Sequence, residues 1–317
     1  MHLFLLLLLL FARSVSAYDE DRYGYHVPNT PLYLSGYISM HYDPKEQHDL
    51  MFDDIALLLY ANQGKYHLLG EVEISNFALQ DIDDSNVRLY IERLHMLYDI
   101  DEFTSVTVGK FNSDIGFWNI TRISTLTATT TSPHLVENIF PQMNTGVMLT
   151  RSFVHDTLIL STTLQQTPNI DRDYNNFDTT RHYGFALSYP TDFYTLKLNG
   201  GYYETEDTDD NNYYAGISLQ YELEQWSLQS ELFTRQNNLQ GDIPYDGYLQ
   251  YIRHLNYHYD LVFRQELYKD SATDTEEGIS IAGFVYRPRI DLVFKGEYVY
   301  HSQLDDDRFV FSFSAVF

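Results

Sequence analysis

Phe309-Val310-Phe311-Ser312-Phe313-Ser314-Ala315-Val316-Phe317 decides the fold. Phe309, Phe311, Phe313, Ala315 and Phe317 share one face of this run, and Val310, Ser312, Ser314 and Val316 share the other. A period of two is the spacing of a β-strand. The strand carries an aromatic ladder and ends on an aromatic residue with no polar tail. In water such a ladder on an unpaired edge invites aggregation. In a bilayer it has a use: neighbouring strands pair both edges, and lipid solvates the aromatic face.

The opposite end of the chain fits an exported protein. Met1-His2 precedes an apolar run from Leu3 to Ala12, followed by Arg13-Ser14-Val15-Ser16-Ala17. A run of about ten apolar residues is too short to span a membrane and matches the apolar segment of a signal peptide. Val15 and Ala17 supply small residues at the −3 and −1 positions, which predicts cleavage before Tyr18 and a mature barrel domain over 18–317. No Lys or Arg precedes the run, so His2 and the α-amino group serve in their place.

With a terminal Phe317 and apolar residues at every second position before it, the last strand resembles the closing strand of Gram-negative outer-membrane β-barrels. The resemblance implies that Phe313 and Phe317 form the signal read by the barrel-assembly machinery, and that the outer wall contacts outer-membrane lipid.

Composition agrees. The chain has no Cys, as expected of an exported protein that needs no disulfides. Mean hydropathy is −0.33, and no later stretch approaches the ~18 apolar residues of a membrane-spanning helix. A barrel tolerates this because only alternate residues face lipid. The net charge of −25 repels phosphate backbones and excludes nucleic acid as a partner. Twenty-eight Tyr and twenty Phe supply rings for interfacial girdles.

Alternating segments predict about sixteen strands: 32–42, 50–61, 66–75, 87–98, 103–111, 145–153, 157–166, 181–189, 193–204, 213–222, 226–236, 245–253, 259–268, 277–287, 290–301 and 307–317. Each is near ten residues, the length a tilted membrane strand needs. Short gaps, such as 62–65, 99–102, 154–156 and 287–289, alternate with longer acidic ones at 81–84, 171–173, 206–210, 270–277 and 305–307. That pattern predicts an all-β, antiparallel up-and-down transmembrane barrel with both termini on the short-turn side.

Several strands divide into an apolar face and a charged one. Lys197, Glu231, Arg235, Arg264, Glu266, Lys295 and Glu297 lie opposite faces rich in Leu, Phe and Tyr. Lys or Arg at the bilayer midplane on the lipid face costs about 2–4 kcal/mol, so these residues are expected to point inward and line an aqueous pore. Sixteen strands also enclose a lumen too wide for side chains to fill.

One gap stands apart. Residues 112–144 carry little acidic character but hold Phe117, Trp118, a Thr-rich run, Pro133 and Pro141. Long ordered loops tend to be functional. In sixteen-stranded porins the third external loop folds into the barrel and narrows the pore, and this gap is the third external loop. The resemblance thus offers Asp114, Arg122, His134 and Glu137 as constriction residues. A weaker likeness to bacterial porins, including relatives of the phosphate-selective group, runs through Arg88–Leu94, Val108–Phe111 and Gly116–Asn119. The inward Arg and Lys ladder that phosphate selection needs is missing, so that specificity is not carried over.

No catalytic motif emerges. Gly278-Ile279-Ser280-Ile281-Ala282-Gly283 misses the nucleophile-elbow spacing by one residue and sits within a strand. His254 and His258 share an i, i+4 spacing, but in a turn rather than a helix, so no metal site is expected. No cofactor is implied. The expected function is passive diffusion of small hydrophilic solutes with a weak cation preference. Two alternatives are a non-conducting outer-membrane barrel acting as an anchor or surface-binding protein, and a soluble secreted β protein. Porins of this size are often homotrimers.

Overall fold

A computed structural model describes residues 24–46, 50–78, 88–153, 157–206, 210–239 and 241–317. The expected signal segment at 1–17, the acidic gap at 81–84 and the turn at 154–156 lie outside the described residues.

The strands run in chain order: β1 (Tyr25–His26), β2 (Leu32–Tyr42), β3 (Leu50–Gln63), β4 (Tyr66–Ala78), β5 (Leu89–Asp101), β6 (Thr104–Asn112), β7 (Met143–Phe153), β8 (Leu158–Gln165), β9 (Thr179–Pro190), β10 (Tyr194–Thr205), β11 (Asn211–Leu223), β12 (Trp226–Asn237), β13 (Ile243–Asn256), β14 (Tyr259–Asp270), β15 (Thr275–Arg289), β16 (Leu292–His301) and β17 (Arg308–Val316). The short β1 pairs with the start of β2. From β2 to β17 each strand pairs antiparallel with the next, and β17 returns to β2 with Ala315 opposite Ile38. The result is a closed sixteen-stranded barrel, as the alternation predicts. Each strand from β2 to β17 is paired on both sides, which is the condition for crossing a bilayer with strands. Among the described residues no helix is long and apolar enough to cross a membrane.

The strand that decides the fold also closes it. Gly36 and Phe317 exchange backbone hydrogen bonds of 2.9 and 2.8 Å, and the Ser35 hydroxyl donates to the Phe317 carbonyl. Gly36 is required there: a Cβ on it would stand 2.5 Å from the Phe317 ring and 2.6 Å from the Ala56 carbonyl.

Alternation sorts the two faces. Leu57, Leu198, Leu232, Phe263, Phe284 and Phe309 are exposed on the outer wall, while Lys197, Glu231 and Arg264, next in sequence to Leu198, Leu232 and Phe263, are buried. An apolar outer belt with charge on the inside is the arrangement of a barrel solvated by lipid, and it disfavours the soluble secreted alternative.

Candidate functional site

The link between β6 and β7, residues 113–142, folds into the barrel and lies along the inner wall of β10–β17. It contains a single-turn helix, α1 (His134–Asn138). The wall side chains that alternation turns inward are the groups that hold it. Lys197 pairs with Asp114 and donates to the Gly116 carbonyl at 2.9 Å. Glu231 accepts the backbone N–H groups of Phe117 and Trp118 at 3.0 and 2.9 Å. Arg235 donates to the Asn138 carbonyl at 2.6 Å. Arg264 donates to Thr129 and Thr131, and Glu266 accepts the His134 N–H at 2.8 Å. Lys295 donates to Ser124, Thr127 and Thr129. Glu297 accepts the N–H groups of Thr130 and Thr131, both at 2.9 Å.

This corrects one expectation. Lys197, Glu231, Arg264, Glu266, Lys295 and Glu297 face inward, but each is 5% exposed or less, so they do not line open water. The loop covers them, because backbone groups of an irregular segment need partners and these charges supply them. Part of the interior is also dry. Ile115, Trp118, Leu135, Val136, Ile139 and Phe140 pack on Tyr203, Tyr214, Phe233, Ile243 and Tyr248 in one apolar cluster. Gly116 fits only as glycine: its φ is +64°, and a Cβ would stand 2.0 Å from a Glu231 carboxylate oxygen.

The four loop residues singled out from sequence separate into two pairs. Asp114 is tied to Lys197. His134 contacts Asp246 at 2.6 Å and stacks on Tyr268 with ring centroids 3.6 Å apart. Arg122 and Glu137 instead face a cavity of about 220 Å³ on the other side of the loop. Across it stand Tyr37 of β2, Asp53 and Asp54 of β3 and Glu92 of β5, with Tyr174 of the link after β8.

This opposite wall is acidic. Tyr37 Oη lies 3.2 Å from a Glu73 oxygen and 3.1 Å from a Glu92 oxygen. The Ser39 hydroxyl donates to Asp54 at 3.0 Å, Asp53 is paired with His41, and Glu71 with Arg93. Two β-bulges build the cluster. Ser39 pairs with Asp54 while Met40 pairs with Phe52, leaving Asp53 as an extra residue. Glu71 pairs with Arg93 while Val72 pairs with Ile91, leaving Glu92 as an extra residue. A bulge sets two residues of one strand against one of its neighbour and breaks the strict alternation. It puts Asp53 and Asp54 together at one cavity, and lets Glu92 enter beside the inward Arg93.

The link 166–178, of which the sequence marks 171–173 as an acidic gap, is structural as well. Asp171 accepts the Ile91 N–H at 2.7 Å and a bond from Arg88. Asn175 and Asn176 bond the backbone of 136–143. The Tyr174 hydroxyl donates to Glu73 at 2.9 Å. Burial, followed by the Glu92 and Glu73 charges, pushes this hydroxyl well above the usual tyrosine range and keeps it a donor.

The motifs set aside from sequence have ordinary roles. Ser280 donates to Gln265 at 2.6 Å, His254 contacts Asp260 and His258 contacts the Arg287 carbonyl. Among the described residues no group of three or more His, Asp or Glu is arranged to hold a metal ion.

No protein-family model matches the sequence, and no curated protein matches it. Solved structures do match. The anion-selective porin from Comamonas acidovorans superposes with a TM-score of 0.66 at 13% identity, over 90% of this chain and 99% of that one. Salmonella typhi OmpF gives 0.69 at 10% identity, over 90% and 97%. The outer membrane channel DcaP of Acinetobacter baumannii gives 0.63 at 11% identity, over 93% and 100%. The chain therefore has the sixteen-stranded fold of outer-membrane porins.

Proposed function

We propose that the protein is an outer-membrane channel through which small hydrophilic solutes diffuse passively, with a preference for cations. One observation carries the reading. The cavity between the infolded loop and β2–β5 is lined by the carboxylates of Asp53, Asp54, Glu92 and Glu137 against the single guanidinium of Arg122. A polar gap bounded by fixed charge of mostly one sign admits water and enriches counter-ions. The Comamonas porin is described as anion-selective. That property is not carried over, because the acidic wall here disfavours anions.

Supporting this, the inward charges Lys197, Glu231, Arg235, Arg264, Glu266, Lys295 and Glu297 hold the loop, so the acidic half of the lumen sets the field. The loop acts as a fixed partition, with Arg122 and Glu137 as its constriction residues, rather than as a mobile lid. Phe313 and Phe317 are retained as the assembly signal, and a homotrimer as the assembly. No catalytic role is proposed.

Proteoliposome swelling tests the channel. Arabinose should enter quickly and a trisaccharide slowly, which reads the constriction as a size limit. Liposomes that hold folded protein yet do not swell with any sugar would refute it.

A further inference from the structure

We propose that the link 166–178 is a second pore element: a strap that clasps the infolded loop through Asn175 and Asn176 and sets the size limit of the lumen through Tyr174. The inference rests on the channel reading above.

The path of the link is not that of a hairpin turn. β8 and β9 are neighbours in the wall, with Ile159 opposite Ser188, and a hairpin joining such neighbours needs about two to five residues. This link is longer and runs back across β7 and β6. The carbonyls of Asp171 and Tyr174 accept bonds from Lys110 of β6 at 3.1 and 3.2 Å. The Asp171 carboxylate accepts the Ile91 N–H of β5, and the Tyr174 hydroxyl reaches Glu73 of β4. Asp171 turns the chain with a φ of +51°, a left-handed conformation that Asp tolerates better than most residues. A link bonded to three strands beyond its own hairpin is fixed against the lumen wall, not solvated on the rim.

The clasp is made by two amides. Asn175 accepts the Met143 N–H at 3.1 Å and donates to the Met143 carbonyl at 3.2 Å, as a ladder residue would. Asn176 accepts the Gln142 N–H at 2.9 Å and donates to the carbonyls of Phe140 at 2.9 Å and Glu137 at 3.1 Å. Glu137 sits in the last turn of α1, where carbonyls lack intrahelical partners. An amide carries donors and an acceptor together, so Asn serves both sides of this bend where Asp or Ala cannot. Phe177 completes the join by packing on Tyr203, with ring centroids 5.2 Å apart.

The strap presents one ring to the lumen. Tyr174 lines the same gap as Arg122 and Glu137. Its hydroxyl is held by Glu73 and its ring by Tyr90, with centroids 5.6 Å apart. A fixed ring beside a gap of about 220 Å³ takes up room that a solute would need. Asn176 is thus a positioning residue and Tyr174 the size-limiting one.

The test uses the full-length barrel, in proteoliposomes for sugar entry and in planar bilayers for current. Tyr174→Ala should raise the swelling rate with raffinose several-fold relative to arabinose. Tyr174→Phe keeps the ring and should leave that ratio unchanged. Asn176→Ala strands buried carbonyls and should speed protease cleavage within 113–142 about tenfold, with noisier open current and more raffinose entry. Gln166→Ala, in the same link but bonded to Tyr183 on the outer wall, should alter none of these. Asn176 lies outside the strands, so its variant keeps the test open if the Tyr174→Ala barrel does not fold. A conducting channel whose sugar ratio is unmoved by Tyr174→Ala, or moved as far by Tyr174→Phe, overturns the size limit. Cleavage unmoved by Asn176→Ala overturns the clasp. Both results leave the channel reading intact. If the unaltered chain passes neither sugar nor current, the channel reading fails and the size limit with it, while cleavage still decides the clasp.

Discussion

The Trp118 backbone N–H donates to the Glu231 carboxylate across 2.9 Å, joining an inward strand residue to the infolded loop. The same carboxylate also accepts from Phe117, Ser218 and Tyr248. A charge that sequence reading assigns to a water-lined wall is thus the acceptor at the centre of a buried network.

Replacing it should release the loop. Glu231→Ala leaves buried donors without an acceptor, each at a cost of about 1–3 kcal/mol. The barrel ladder does not depend on this side chain. The expected result is a heat-stable barrel with a larger single-channel conductance and new protease cleavage within 113–142. An unchanged conductance and cleavage pattern would show that the loop is held without Glu231.

Closure of the barrel rests on Gly36. Gly36→Ala forces a methyl group against the Phe317 ring and the Ala56 carbonyl. Overpacking of this kind costs about 1–3 kcal/mol. Refolding from urea into detergent should give less of the compact, heat-modifiable species on a gel than the unaltered chain gives. Equal yields would mean that the ring moves aside freely.

The acidic wall should govern ion preference. Neutralising one carboxylate removes about 1 kcal/mol for a cation 4 Å away in a water-like dielectric, up to a fivefold effect. Glu92→Gln and Asp54→Asn should lower the cation-to-anion permeability ratio, and Arg122→Ala should raise it. Reversal potentials for the three variants check the opposed signs.

Salt should weaken the preference. Screening length falls from ~10 Å at 0.1 M to ~3 Å at 1 M, so charges across an open gap lose their reach. The permeability ratio should move toward unity over that range. A ratio independent of salt would point to size rather than charge.

The fold was legible in the sequence because alternation survives in nearly every strand, and because short turns alternate with longer links. Lys197 announces its inward direction by Leu196 and Leu198 on either side. What covers it is not written in that pattern. Whether an inward charge meets water or a loop depends on the tertiary path of residues 113–142. The acidic wall escaped for a different reason. Asp53 and Glu92 are bulge residues, and a bulge breaks the period of two on which the reading depends. The adjacent pair Asp53-Asp54 within an otherwise apolar strand was the available signal. Tyr174-Asn175-Asn176-Phe177, aromatic and amide-rich between acidic residues, was the corresponding hint that the link 166–178 is structural.

The most direct test is the reversal potential of the detergent-purified chain in a planar bilayer, with 0.1 M potassium chloride on one side and 1 M on the other. The account predicts discrete open steps and a potential of the sign set by potassium permeating faster than chloride. Folded, inserted protein that passes no current, or that favours chloride, would contradict it.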